Sequence, residues 1–195
     1  MRLLNTLILL VICLTGISQT VHTESKYKDS TGIGITIQNS YPKGGPYTDP
    51  TGKKFGYGIF WTRIINETDS LLELTINFPA DSFAIFPQPD SYLKLFICPD
   101  SMTSAKETFF DYGSRDLKSF FDTCSNKPTK IQKKIRPKEE YLFNVLLLFR
   151  APDNGPVRTG FILKGRELFY KISIAKQFDS ALIPCGQIDF KQSRR

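Results

Sequence analysis

Histidine is almost missing from this chain: His22 is the only one among 195 residues. Ser-His-Asp and Cys-His nucleophiles need an imidazole beside them, and an HExxH zinc site needs two. One histidine near the N-terminus supplies neither. Cysteine is scarce too, with four in all and no CxxC spacing, so no zinc motif is spelled out. Gly44-Gly45 and Gly56-x-Gly58 lack the Lys-Ser/Thr ending and following helix of a phosphate cradle. No catalytic residue, metal ligand or cofactor is therefore assigned.

Long apolar runs are equally rare. One stands at the N-terminus, where Arg2 precedes Leu3 to Leu14 and the small residues Gly16 and Ser18 follow. This is the pattern of an export signal over residues 1–18, with cleavage after Ser18 leaving Gln19 first. The run is shorter than the roughly 20 residues a membrane span needs. Cys13 follows Ile12 inside the run, which does not suit lipidation. No transmembrane segment is expected after cleavage, so the chain reads as exported, periplasmic or extracellular. Loss of Arg2, the one charge in the signal, leaves 25 basic and 19 acidic side chains on 177 residues, a basic protein of single-domain size.

Three cysteines remain, Cys98, Cys124 and Cys185, and an odd number allows at most one internal bridge. Cys98 with Cys124 is the favoured pair, because they flank one irregular segment and closing it would remove about 3 kcal/mol of unfolded-state entropy. Three separate buried thiols, acting as small hydrophobes, are the alternative.

What is plentiful is short alternating apolar segments. Residues 19–31 are polar and aperiodic, and read as a flexible lead. Residues 32–191 read as one domain, and 192–195 as a frayed basic tail. Ile33, Ile35 and Ile37 alternate with Gly34 and Thr36, which predicts a strand. SYPKGGPYTDPTGKKFG, Ser40 to Gly56, has three prolines and four glycines and reads as a long loop, with a tight turn at Asp49-Pro50-Thr51-Gly52. Gly58–Asn66 and Leu71–Phe78 form a hairpin, the second strand with Leu72, Leu74, Ile76 and Phe78 on a dry face. Further strands are predicted at Tyr92–Cys98, Thr129–Ile135, Tyr141–Phe149, Arg158–Lys164, Leu168–Ala175 and Gln187–Phe190. Tyr141–Phe149 is apolar on both faces and reads as central and buried. Between Asp100 and Asn126 the spacing of Phe109, Phe110, Leu117, Phe120 and Phe121 predicts one or two short helical turns.

About 8–9 strands with turn signals every 8 to 12 residues predict an all-β, antiparallel β-sandwich. WTRIINETDSLLELTINF (Trp61–Phe78) and IRPKEEYLF (Ile135–Phe143) resemble immunoglobulin-like modules over perhaps a third of the chain. Trp61 precedes every cysteine of the domain, a departure from the Cys, Trp, Cys order of antibody domains. The whole chain, with TDPTGKKFGYGIFW, NFPADSFAIFP and LIPCGQIDF, resembles uncharacterised secreted proteins of Bacteroidota. That resemblance implies an exported immunoglobulin-like β-sandwich and carries no activity with it.

Two groups are candidate ligand contacts. Tyr41, Tyr47 and Tyr57 flank or occupy the long loop, where side chains are free to meet a ligand. Lys130, Lys134 and Arg136 form one basic stripe opposite Ile131 and Ile135, suited to an anionic partner, or else to keeping an edge strand from aggregating. Asp111, Asp116, Asp122, Glu139 and Glu140 are the acids a glycosidase pair would draw on, with solvation or helix capping as their ordinary use. Asn66-Glu67-Thr68 matches a glycosylation acceptor, which would matter only in a eukaryotic secretory pathway and which the resemblance to bacterial proteins implies is a coincidence. The reading is a non-enzymatic exported binding or adhesion-type module of the cell envelope, its partner a glycan or an envelope protein and not nucleic acid. The alternatives are a carbohydrate-active enzyme using paired carboxylates and a structural subunit of an envelope assembly.

Overall fold

The computed structural model describes residues 21–28, 34–84, 92–150, 157–174 and 180–191, which form two antiparallel sheets. The signal segment 1–18, the turn Asp153 to Pro156, the bend at Pro87 and Pro89 and the tail 192–195 lie outside them. Sheet A runs β1 (Val21–Lys28), β2 (Gly34–Ser40), β4 (Lys54–Asn66), β8 (Glu140–Arg150) and β6 (Tyr92–Ile97), with β3 (Lys43–Thr48) also on β4. Sheet B runs β7 (Thr129–Ile135), β5 (Leu71–Phe78), β11 (Ala181–Lys191), β10 (Glu167–Ile174) and β9 (Val157–Lys164). The all-β antiparallel sandwich is as the alternation predicts.

Two strands exceed the expected nine. Val21–Lys28 pairs along β2 and is not a loose lead, although its own sequence shows no period; Tyr27 and the β2 backbone give it a place. Lys43–Thr48 pairs with Lys54–Ile59, so most of the expected long loop is a hairpin. Pro46 fits because β3 is an edge strand that needs no donor there. Gly44 fits because its backbone passes so close to Tyr57 that a Cβ would lie 2.2 Å from the Tyr57 carbonyl oxygen. The tight turn after it is present: Asp49 Oδ1 accepts from Thr51 N, Thr51 Oγ1 and Lys53 N at 2.7 to 2.9 Å.

Ile35, Ile37, Phe60, Ile64, Leu95, Phe143, Val145 and Leu147 of sheet A meet Leu72, Leu74, Ile76, Phe78, Phe161 and Tyr170 of sheet B in the main core. Sheet A is apolar on its other face too, where Ile59, Trp61, Phe96, Leu146 and Leu148 form a second core. This double burial is why Tyr141–Phe149 lacks a polar face. The segment from Cys98 to Asn126 covers that second face with two 3-10 turns and helix α1 (Leu117–Cys124).

Buried asparagines join the sheets. Asn39 accepts from Phe161 N at 3.0 Å and Thr62 Oγ1 at 3.0 Å, and donates to the Phe161 carbonyl at 3.3 Å and Thr23 Oγ1 at 3.1 Å. Its amide thus stands where a next strand would, and Tyr27 Oη accepts from Leu163 N at 2.9 Å one pair further along β9. On the opposite side Thr129 Oγ1 accepts from Ile97 N at 2.9 Å, linking β7 to β6. Asn66 ties the β4–β5 and β7–β8 turns together, donating to the carbonyls of Ser70, Ile135 and Arg136 while accepting from Thr68 N and Oγ1. Every hydrogen-bonding site of that amide is engaged, and the folded chain does not offer it as a glycan acceptor.

The expected Cys98–Cys124 bridge is absent: Cys98, Cys124 and Cys185 are all free. Cys98 is buried with its sulfur 3.5 Å from Ser114 Oγ, and Cys185 is buried with its thiol donating to the Leu168 carbonyl at 3.3 Å. Burial pushes the Cys98 thiol up and the Cys185 thiol up to about 12, so neither yields a thiolate readily. Thiol-reactive reagent at pH 8 is expected to modify half-exposed Cys124 first in the folded domain, and all three only in denaturant, read by intact mass. Asn39→Ala is expected to cost about 3 kcal/mol, since the Phe161 amide and the Thr62 hydroxyl lose their buried partner. Urea unfolding monitored by tryptophan fluorescence measures it.

Candidate functional site

The cover over sheet A is where sequence and structure part most. Phe109 adopts extended backbone, and then three successive residues turn left-handed: Asp111 at φ 47°, Tyr112 at 52° and Gly113 at 66°. Asp116, just before α1, is left-handed as well at φ 52° and makes no side-chain cap. Left-handed backbone costs an ordinary residue about 1 kcal/mol or more, and it persists only where surrounding contacts over-determine it. Those contacts come from sheet A.

Lys43 Nζ of β3 donates to the carbonyls of Glu107 at 2.9 Å and Phe109 at 2.7 Å, and lies 4.0 Å from the centre of the Tyr112 ring. Burial lowers the Lys43 pKa, partly opposed by the Asp111 carboxylate. Tyr57 Oη donates to Asp111 Oδ2 at 2.7 Å, and Tyr112 Oη donates to the Tyr41 carbonyl at 2.5 Å. Arg63 reaches Glu107 Oε1 at 2.6 Å and Ser104 Oγ at 3.2 Å. Further on, Tyr47 Oη donates to Asp122 Oδ1 at 2.7 Å, and Phe121 is fully buried against the rings of Tyr47, Tyr57 and Phe96. Burying such a ring contributes about 2 kcal/mol.

The expected tyrosine site is therefore a clamp. Tyr47, 7 % exposed, and half-buried Tyr57 face the cover, and burial followed by a carboxylate partner drives both phenol pKa values upward. Only Tyr41 is open, at 42 %. What the clamp presents is Phe109 and Phe110, 56 % and 80 % exposed. They flank a depression of about 420 Å³ lined by Asp100, Lys106, Ser114 and Arg115. Aromatic pairs in a strand-rich sequence read as core, and only the left-handed turn, which no residue pattern marks, turns these outward.

The expected basic stripe lies on β7, an edge strand, as its lysines suggest. Lys130 and Lys134 are exposed with Ile131 and Ile135 buried between them. Lys134 and Arg136 line a depression of about 530 Å³ with Tyr141, but Glu73 lies 3.8 Å from Lys134 and Glu139 3.6 Å from Arg136. Acids compensate that stripe, which weakens its claim on an anion. Four of the five candidate carboxylates are likewise spoken for: Asp111 by Tyr57, Asp122 by Tyr47 and Lys118, Glu139 by Arg136, Glu140 by Arg63 at 3.6 Å; Asp116 stands at the start of α1 without a side-chain cap bond. No helix among the described residues is long and apolar enough to cross a membrane.

A scan against protein-family models finds no match to the chain, and a search of curated proteins finds none. The site must be judged on its geometry.

Among the described residues four buried polar atoms lack a hydrogen-bonding protein partner: Trp61 Nε1, Asp111 Oδ1, Asn144 Oδ1 and Arg63 Nε, the last with only the Glu140 carboxylate 3.6 Å away. All belong to the junction of sheet A with its cover, and such atoms cost about 1–3 kcal/mol each. The cover is therefore held less firmly than the main core. Tyr57→Phe is expected to weaken it by about 2 kcal/mol by orphaning the buried Asp111 carboxylate. Hydrogen exchange should rise over residues 104–124 and stay unchanged in β5 and β11.

Proposed function

We propose that this chain is an exported, non-enzymatic binding module of the cell envelope that engages a protein partner through Phe109 and Phe110. The observation that carries the reading is the pairing of exposed aromatic rings with a strained, clamped backbone. Strain gathers at functional sites, and large rings held rigid in solvent are the usual anchors of an interface, since little side-chain freedom is lost on docking. Lys106 and Arg115 beside the rings favour an apolar socket with an acidic rim.

Export is supported by the Arg2, apolar, Gly16, Ser18 pattern, whose cleavage point leaves two residues, Gln19 and Thr20, before β1 begins at Val21. The resemblance to secreted Bacteroidota proteins points to the periplasm or the cell surface. A non-enzymatic role is supported by the engagement of Asp111, Asp122, Glu139 and Glu140 in clamping and turn contacts. A glycan as the partner at this site is less well supported, because Tyr47 and Tyr57 face inward and the open Tyr41 lies against His22 instead.

Phe109→Ala with Phe110→Ala is expected to reduce capture of an envelope protein by the purified module at least tenfold while leaving the melting temperature within about 2 °C. Pull-down followed by reconstitution with the isolated partner checks it. Undiminished binding by the double variant refutes the proposal, and binding to lipid vesicles alone reassigns the rings to a membrane surface.

A further inference from the structure

A second site stands apart from the aromatic turn, in the groove between β1 and the β9–β10 pair. Its volume is about 420 Å³, within the range of about 300–1,000 Å³ typical of ligand sites. The charged and titratable side chains lining it are His22, Arg158 and Lys171, and among the described residues no carboxylate lines it. Among the described residues no acid pairs with these three within 4.0 Å, whereas nine other ion pairs bind up lysines and arginines elsewhere. Leaving the Arg158 and Lys171 cations without counter-charge is costly to a fold. The His22 imidazole beside them is held below its usual pKa by burial first and by the Arg158 guanidinium second, so at neutral pH it serves the groove as an uncharged hydrogen-bonding ring.

Two backbone devices build the groove. The β1–β2 register slips between Val21 and Thr23, so His22 sits in a bulge and lines the groove together with its neighbour Thr23. Regular alternation would send adjacent side chains to opposite faces; a bulge re-aims one of them. On the far side Gly160 stands opposite Lys171 in the β9–β10 register. A Cβ at Gly160 would lie 2.7 Å from the Asn39 amide nitrogen, so glycine both admits Asn39 and leaves the groove floor bare. Thr23, Ser25 and Ser173 add hydroxyl groups, which donate and accept. Tyr41, the open tyrosine, lies with its ring 4.6 Å from that of His22.

From this set we infer that the groove binds an oxyanion-bearing sugar, a sulfated or uronic residue of an anionic glycan. The cations meet the sulfate or carboxylate, the hydroxyls meet the ring hydroxyls, and Tyr41 stacks beside the sugar. Among the described residues no acid pairs with this positive surface, whereas Glu73 and Glu139 compensate the β7 stripe. The inference does not rest on Phe109 and Phe110, which lie on the cover of sheet A; the two sites adjoin where Tyr112 Oη donates to the Tyr41 carbonyl.

The test is calorimetry of the full mature chain with three probes: a sulfated glucosamine–uronate tetrasaccharide, a galacturonate tetrasaccharide and a neutral tetrasaccharide of equal length. One or both acidic probes are expected to bind and the neutral one to bind at least tenfold more weakly. Arg158→Gln and Lys171→Gln should each lower affinity about tenfold, with Lys130→Gln as a control that changes nothing. Both altered side chains are exposed, so folding survives, and the melting temperature confirms it. Absence of binding by both acidic probes overturns the inference. Binding that Lys130→Gln weakens as much as Arg158→Gln does, or that inorganic phosphate or single-stranded DNA matches, overturns the sugar assignment.

Discussion

Sheet A is apolar on both faces and must be covered twice, and most of the molecule follows from that. Its inner face, through Phe60, Val145 and Leu147, finds sheet B. Its outer face, through Ile59, Trp61 and Leu146, would be a large exposed apolar patch without the Cys98–Asn126 cover. The cover is too short to bring a core of its own, so it docks through Phe121, Met102 and Leu117 and a ring of polar pins. The pins come from the β3–β4 hairpin, which explains why tyrosines that look available in the sequence are consumed inside the fold. Phe109 and Phe110 are then the aromatics for which no inward position is left.

The sequence is legible where burial is one-sided. Leu72 to Phe78 alternates because β5 has one wet face, and Gly58–Asn66 and Tyr141–Phe149 read as strands because β-branched and aromatic residues crowd them. β1 was not legible, since Glu24, Ser25 and Lys26 carry no period and owe their extended form to β2 beside them. β3 was hidden by Gly44, Gly45 and Pro46, residues that signal turns in isolation but suit an edge strand passing close to Tyr57. Nor could spacing show that Cys98 packs against Ser114 as a buried hydrophobe and does not reach Cys124.

The site was half legible. The Ser40–Gly56 stretch stands out in the sequence, and in the fold it supports the proposed binding surface without forming it. The basic residues that stood out, Lys130 to Arg136, cluster in sequence because they share one edge strand and its turn. Those of the groove, His22, Arg158 and Lys171, are spread over the whole chain, and only the closing of β9 against β1 and β2 brings them together. Local density of charge is a poor guide to uncompensated charge, which depends on partners that folding supplies.

The order of strands has a kinetic side. β4 and β8 pair along Gly56–Ile65 and Glu140–Phe149, and β5 finds one of its neighbours, β11, only at Leu71–Ile76 with Gly186–Lys191. Contacts of such long sequence separation form slowly, because a long stretch of chain must be ordered before they are rewarded. Until the last strand arrives, β5 carries a bare hydrogen-bonding edge in the middle of what will be sheet B. A growing or clipped chain that stops short of Ala181 thus exposes an apolar strand ready to pair with a neighbour's, and the domain closes this hazard only with its final residues.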